Sequence, residues 1–472
     1  MDDFKGKKVV IMGLGLYKEG SGISAAKFFS SKGAEVAITD LKNEEELKKQ
    51  ISELKRFAKK LKAISYKLIL GRHRTSDFKS ADIVIRNPGA RANSPYLAAA
   101  RSAGAKILSD TGIFLALMPG AVIGVTGTRG KSTTSALAYE MLKSKERHAE
   151  LGGNILRSPL NFLDKMHEGS IAVLELSSWQ CEGLEEIKKS PHIAVITNIM
   201  RDHLNTYKGM AQYAAAKALI YKYQSPEDAV ILNYDNKWTR EMGKRAPSRR
   251  FWFSLKPFSE ENGCFPKNKK IIFRFGGEEE AVASVSDTAI AGEHNLGNAL
   301  SAVCAAKIMG ISNAAIKKVL KNFKGLPNRM EVIRNIKGIR FINDTTATTP
   351  DATIAALKTL KAKSYKLKAK RRIVLICGGS DKKLEFSELA LAIKKYAKSV
   401  VFLPGGATDK IKKFLKMPYE EAADMARAVR CAIKFAKKGD VVLLSPAAAS
   451  FGLFQNEFDR GEQFVKEVKK LK

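Results

Sequence analysis

The run Val122-Ile123-Gly124-Val125-Thr126-Gly127-Thr128-Arg129-Gly130-Lys131-Ser132-Thr133-Thr134 constrains the chain more than any other stretch. A β-branched strand breaks at glycines and then offers Gly-Lys-Ser-Thr ahead of a helix-forming run. Such glycines let several backbone N–H groups and the positive end of the next helix face one anion. Lys131 then reaches the outer phosphates, and Ser132 can hold Mg²⁺. The strict P-loop spacing fails, because Val125 stands where the first glycine belongs. The context supports a nucleotide site all the same: an apolar strand precedes it and Ala136–Leu142 follows with helical spacing.

At 472 residues the chain exceeds one ordinary core. The five cysteines (Cys181, Cys264, Cys304, Cys377 and Cys431) are scattered, without the CxxC spacing of a zinc site or the even count of a disulfide framework. No stretch approaches the roughly 20 apolar residues of a membrane helix, and Met1–Lys5 leads into a short strand rather than a signal-peptide core. A cytoplasmic protein is expected. The net charge of +34 raises a nucleic-acid partner. The lysines are spread over helices such as Leu47–Ile51 and Ile316–Leu320 without an arginine-aromatic cluster, so a solvated basic face is the better reading. The densest run, Lys358 to Arg372, reads as a basic loop.

Along the chain, strand follows helix with polar residues at the strand ends. Lys8–Gly15, a helix near Ile23–Phe29 and a strand from Glu35 to Thr39 closed by Asp40 form a Rossmann-type βαβ unit, although Lys18 replaces the third glycine of the dinucleotide fingerprint. Asp40 is placed to accept from a ribose or base, or to cap the next helix. The strand Ala81–Arg86 turns at Asn87-Pro88-Gly89 beside it. Leu151–Ile155 reads as a glycine turn. The apolar strand Ile171–Leu174 ends in Glu175, a hard oxygen ligand for Mg²⁺. His192–Asn198 runs into Asp202-His203. Lys217 is the single charge among small residues of a helix, where it could snorkel. From Asp228 to Val285 the short alternating pattern suggests an antiparallel addition. Asn295 and Asn298 share one helix face, and Gly325–Glu331 is a breaker-rich linker. Beyond it, strands ending at Asp344, Cys377, Leu403 and Ser445 again alternate with helices.

The expected fold is α/β in three domains: a Rossmann-like domain over 1–118, a central P-loop parallel-sheet domain with a small antiparallel addition over 119–324, and a Rossmann-like domain over 325–472. Taken together these motifs resemble the Mur ligases of peptidoglycan synthesis over essentially the whole chain. The resemblance rests on Gly127–Thr133, Glu175–Gln180, Thr197-Asn198 with Asp202-His203, Lys217, His294–Asn298, Gly325–Glu331, Asn343-Asp344 and Leu444–Ala447, all in family order.

It implies an ATP-dependent ligase that joins D-glutamate to UDP-N-acetylmuramoyl-L-alanine, with these small molecules as partners, no obligatory nucleic acid and a monomeric state. Gly127, Thr128, Gly130, Lys131, Ser132, Thr133, Asn298, Arg329 and Asp344 would bind ATP. Ser132, Glu175, His203 and Lys217, the last as a carbamate, would hold Mg²⁺. Gly15, Asp40, Asn87, Gly89 and Asn154 would bind the UDP-sugar. Thr348, Lys382 and Ser450 would face the amino acid. Arg129, Asn328, Thr346 and the long glycine loop Tyr17–Gly22 depart from the family pattern, which leaves the acceptor open to L-glutamate. A folylpolyglutamate synthase shares the ATP centre without residues 1–118, and a basic P-loop NTPase acting on RNA has only the charge in its favour.

Overall fold

The computed structural model describes residues 4–61, 66–90, 93–143, 148–154, 157–202, 206–366, 373–382 and 384–471. It divides into two compact units, Met1–Phe323 and Lys324–Lys472.

The first unit holds two sheets. Five strands, β1 (Lys8–Met12), β2 (Glu35–Asp40), β3 (Tyr66–Leu70), β4 (Ile83–Arg86) and β5 (Lys106–Leu108), form an all-parallel sheet in the order 3-2-1-4-5. The order reverses between β1 and β4, and a ligand crevice lies outside the carboxyl ends of strands at such a switch point. The second sheet contains β6 (Ala121–Thr126), β7 (Ala149–Gly153), β8 (Ile171–Glu175), β9 (Ile193–Ile196), β10 (Ala229–Asn233), β11 (Arg249–Phe253), β12 (Gly263–Lys267), β13 (Lys270–Phe275) and β14 (Glu278–Ser284). Its order is 14-13-12-11-10-9-6-8-7, so β6 lies between β8 and β9 and the ends of all three face one edge.

The antiparallel addition is shorter than the sequence suggested. Strands β10 and β11 extend the parallel sheet, and only the β12-β13-β14 meander runs antiparallel. Alternation over five residues marks a strand but does not fix the direction of its partner. Leu151–Gly153 is likewise the end of β7 rather than a turn. Glycine is required there because a side chain at Gly152 would enter the buried ring of Phe162.

One hydrophobic cluster spans both sheets, and each sheet packs a second core on its other face. The helix Asp110–Leu117 buries Ile113, Phe114 and Leu115, and Phe114 meets Phe162 edge to face at 5.3 Å between centroids. The same cluster takes in Val9 and Ile11 from β1, and Ala172 and Leu174 from β8. Each fully buried aliphatic or aromatic side chain contributes roughly 1.5–3 kcal/mol.

The second unit is built on β15 (Glu331–Ile336), β16 (Ile339–Asn343), β17 (Ile373–Gly378), β18 (Ala397–Leu403), β19 (Tyr419–Glu421) and β20 (Val441–Leu444), in the order 15-16-20-17-18-19. Only the β15-β16 hairpin is antiparallel. The ends of β16, β20 and β17 adjoin, which brings Asp344, Ser445 and Gly379 to one edge. The basic run begins as helix rather than loop, since Pro350–Lys366 is continuous, and residues 367–372 lie outside the described residues. Lysine and alanine are good helix formers, which outweighs the charge repulsion. Among the described residues no helix is long and apolar enough to cross a membrane.

Candidate active site

The phosphate loop leaves β6 through two backbone conformations that disfavour side chains, Gly127 at φ +141 and Gly130 at φ +87. Space forbids side chains there as well: a Cβ at Gly127 would overlap the Thr197 hydroxyl, and one at Gly130 the Asn298 amide oxygen. The end of β9 braces the loop. Thr128 N donates to Asn198 O (2.9 Å), Arg129 N to Asn198 Oδ1 (3.0 Å), and Thr197 Oγ1 to Arg129 O (2.6 Å). The helix Lys131–Lys143 starts directly after it, and its first-turn N–H groups are the donors an anion would use. Lys131 Nζ spans the loop, donating to Gly127 O (3.1 Å) and Thr128 O (3.2 Å). Ser132 and Thr133 are half-buried on the first turn of that helix. Asn298 comes from the helix Glu293–Ile308, where its Nδ2 donates to Asn295 Oδ1 (3.3 Å).

Beside the loop, β8 carries Glu175 opposite Val125. Its carboxylate is 2% exposed. Oε1 accepts from Asn154 Nδ2 (2.9 Å), whereas Oε2 is buried with no hydrogen-bond partner. A buried carboxylate oxygen without a partner is costly, and a hard cation satisfies it. Lys217, on the helix Met210–Lys222, is equally buried. Its Nζ donates to Thr126 Oγ1 at 3.3 Å. Burial first, and the Lys131 charge second, lower its pKa from 10.5 to about 7, so a substantial fraction is free amine at neutral pH.

These donors fit Mg²⁺. Among the described residues no three His, Cys, Asp or Glu side chains converge, so a cation held by Glu175 and Ser132 would complete its shell with phosphate oxygens and water, as Mg²⁺ prefers. His203 lies outside the described residues. Asp202 pairs with Arg129 at 3.0 Å, so the arginine that departs from the family pattern ties the phosphate loop to the residues just after β9.

At the switch point of the first sheet, Asp40 is held by backbone donors. Oδ2 accepts from Leu14 N (2.8 Å) and Gly15 N (3.4 Å), and Oδ1 from Lys42 N (2.9 Å). Asp40 therefore shapes the glycine loop. Gly22 plays the part of the missing third glycine, because a Cβ there would enter the Gly13 and Leu14 carbonyls. Across the crevice Asn87 Nδ2 donates to Gly13 O (3.3 Å), and its Oδ1 accepts from Gly89 N (3.2 Å). Gly15, Asp40, Asn87 and Gly89 thus gather at one crevice. Asn154 is held on Glu175, next to Gly153, whose bridge to Arg157 continues to Glu19 of the glycine loop.

In the second unit Asp344 is buried, and that burial raises its pKa from 3.8 to about 7 despite hydrogen bonds from Ser445 Oγ (2.8 Å) and Met330 N (3.1 Å). Asn328 and Met330 of the linker adopt left-handed backbone, with φ of 64 and 48. Arg329 between them is exposed. Lys382 Nζ donates to Thr348 Oγ1 at 3.1 Å. Ser450 is buried just beyond Ala449, which pairs with Ser380 through both backbone bonds. Thr348, Lys382 and Ser450 thus lie on three neighbouring loops. Thr346 Oγ1 donates to Asn328 O (2.9 Å), joining two of the positions that depart from the family pattern.

Sequence reasoning missed Thr126 as the partner of Lys217, Tyr213 beneath it at 5.0 Å, and Arg460. The first two occupy apolar runs and carried no polar signal. Arg460 sits in a helix whose pattern marks a surface charge.

Three domain families match in sequence: the MurD-like N-terminal domain of Mur ligases over residues 7–109, the Mur ligase middle domain over 125–306, and the Mur ligase glutamate ligase domain over 328–448. The UDP-N-acetylmuramoylalanine–D-glutamate ligase of Roseiflexus sp. (strain RS-1) is 38% identical over 479 residues, covering 98% of each chain. That of Acetivibrio thermocellus is 36% identical over 486 residues, covering 100% of this chain and 99% of its own. Among solved structures, a pseudomurein peptide ligase type C from Methanothermus fervidus superposes with a TM-score of 0.60 at 20% identity, over 98% of this chain and all of that one. The MurF ligase from Thermotoga maritima in complex with ADP gives 0.58 at 20%, over 92% and 95%. These two share the fold. With three domain matches in order and full-length relatives above 30% identity, the chain belongs to the Mur ligase family, in the branch of the UDP-N-acetylmuramoylalanine–D-glutamate ligases.

Proposed function

We infer that the chain joins D-glutamate to UDP-N-acetylmuramoyl-L-alanine at the expense of ATP, in peptidoglycan precursor synthesis. The observation that carries the chemistry is the buried Glu175 carboxylate, with one oxygen unpartnered, at the strand end next to a phosphate loop.

A carboxylate is a poor electrophile at neutral pH. Transfer of the γ-phosphoryl group to the alanyl carboxylate turns one oxygen into a leaving group and releases ADP. Lys131 and the N–H groups of the loop hold the phosphates, and Lys131 draws off charge as the phosphoryl group moves. Glu175 and Ser132 would hold Mg²⁺, which supplies Lewis-acid polarisation of phosphate oxygens. The D-glutamate amine then attacks the acyl carbon and loses a proton, and phosphate departs, leaving an amide.

Asn298, Arg329 and Asp344 keep the nucleotide role that the resemblance gives them. Gly15, Asn87 and Gly89 keep the UDP-sugar role, with Asp40 acting through the loop it shapes. Thr348, Lys382 and Ser450 face the acceptor, and L-glutamate stays an outcome of the test. The segments 1–118, 119–324 and 325–472 carry sugar, ATP and acceptor functions in turn. Borohydride added to enzyme, ATP, Mg²⁺ and the sugar substrate without amino acid should reduce the acyl phosphate to the alaninol derivative. Absence of that alcohol while ATP is consumed would overturn the route.

Lys217 acts as a carbamate in this reading. Its free amine adds to CO₂ and loses one proton, converting a cation that would repel Mg²⁺ into an oxygen ligand. The lowered pKa supports this by supplying free amine at neutral pH. Lys217→Ala should lose at least about 100-fold in kcat, with partial recovery in millimolar short-chain carboxylates; full activity in the variant would refute the role.

A further inference from the structure

Arg460, on the helix Glu457–Lys469, is 0% exposed and is the largest of the fully buried side chains among the described residues. Its guanidinium donates from Nε to Thr345 Oγ1 (3.0 Å), from one terminal nitrogen to Thr345 O (2.8 Å) and from the other to Ala448 O (3.2 Å). All three acceptors are neutral oxygens. Glu457 is the acidic group whose field it feels, and that carboxylate makes no ion pair with it among the described residues. Burial lowers its pKa from 12.5 to about 10, so it stays charged at neutral pH.

A buried cation without an anion is destabilising, and a neutral donor such as glutamine could hold two of these oxygens without desolvating a charge. The cost has a counterpart in where the charge lies. Thr345 leads into Thr346–Thr348, and Ala448 into Ala449 and Ser450. Arg460 lines one narrow crevice with Gly379, Ser450 and Phe451, too tight to admit a water molecule, so the loops pack directly around it. Gly379 precedes Ser380, whose backbone pairs with Ala449 and whose neighbour Asp381 leads to Lys382. The guanidinium therefore sits behind the loops that carry all three acceptor-facing residues.

We propose that Arg460 is a specificity-determining residue: its buried, unneutralised charge, placed behind the Thr345–Thr348 and Ala448–Ser450 loops, selects an acceptor bearing a side-chain carboxylate over the isosteric amide. Arg460 holds the loops by its hydrogen bonds and biases them by its charge, without touching the reacting atoms. The proposal rests on the reading of D-glutamate as acceptor. It also accounts for how the pocket favours an anion with Thr346 where the resemblance expects a lysine.

The test compares kcat/KM for D-glutamate and D-glutamine in the full chain with saturating ATP, Mg²⁺ and sugar substrate. Wild-type enzyme that turns over neither amino acid would fail the functional reading itself. Given D-glutamate turnover, Arg460→Gln should raise its KM by about tenfold or more, leave D-glutamine and the KM for ATP within about twofold, and so shrink the acid-to-amide ratio about tenfold. Arg460→Lys should keep the ratio within about threefold. Equal losses for both amino acids in Arg460→Gln would reduce the residue to a structural clamp and overturn the proposal. Should that variant not fold, Arg460→Lys and Thr345→Val decide: both keep the charge and must keep the ratio, and a tenfold collapse in either would overturn it.

Discussion

Residues that carry charge into the interior define the chemistry of this chain and the pH at which it is stable. Asp344 is the clearest case. Its unfolded pKa of 3.8 rises to about 7 on folding through burial. Between pH 4 and 7 the unfolded chain therefore releases a proton that the folded chain keeps, so stability falls as pH climbs through that window and the full cost is present above it. Asp344→Asn keeps an acceptor for Met330 N and offers its amide N–H to Ser445 Oγ. The variant should gain about 1–3 kcal/mol over wild type at pH 8 and lose that advantage near pH 4, while its turnover falls. Thermal unfolding across pH checks this, and a gain independent of pH would contradict it. Lys131 and Glu175 were legible in the sequence because a glycine-broken loop and a carboxylate closing an apolar strand have few other uses. Asp40 was only half legible: its place at the strand end was right, but three backbone N–H groups take its oxygens, and no one-dimensional pattern reveals where main-chain donors will point. Arg460 was not legible, since an arginine flanked by Asp459 and Glu462 reads as surface until the fold buries it.

Elements place these residues by a common rule, with parallel strands delivering polar groups at their carboxyl ends and glycines letting neighbouring segments come close. Gly130 shows how little room the rule leaves. Its φ of +87 disfavours any side chain, and a methyl group would collide with the Asn298 amide oxygen. Gly130→Ala should lower stability by about 1–3 kcal/mol and raise the KM for ATP about tenfold or more, because the strain moves both the loop and the helix that carries Asn298. A melting temperature and a KM both within error of wild type would refute that geometry. Periodicity placed the strands that lead to the site, β1, β2, β4, β6, β8, β9, β16, β17, β18 and β20, but not β3, β15 or β19. Pairing direction did not follow from it, as β10 and β11 show, since a short buried strand looks alike beside either kind of neighbour. The glycines of β7 misled for a related reason: close packing on Phe162 needs the same residue as a turn.

At the scale of the whole molecule, the order of motifs identified the family, because eight short signatures in sequence leave little freedom even where single ones depart from pattern. The two units each carry a cluster of polar strand ends, the first around Lys131 and Glu175 and the second around Asp344, Lys382 and Ser450. Part of the +34 charge sits on solvent-facing helices such as Lys48–Leu61 and Asn313–Asn322. The chain spends ATP to join D-glutamate to a UDP-linked alanyl carboxylate. Phosphate release, measured with UDP-N-acetylmuramoyl-L-alanine present and the amino acid varied over D-glutamate, L-glutamate and neutral amino acids, tests this most directly. Release that requires both the sugar substrate and D-glutamate is the result predicted; release that is independent of the sugar, or that follows L-glutamate in place of D-glutamate, would contradict it.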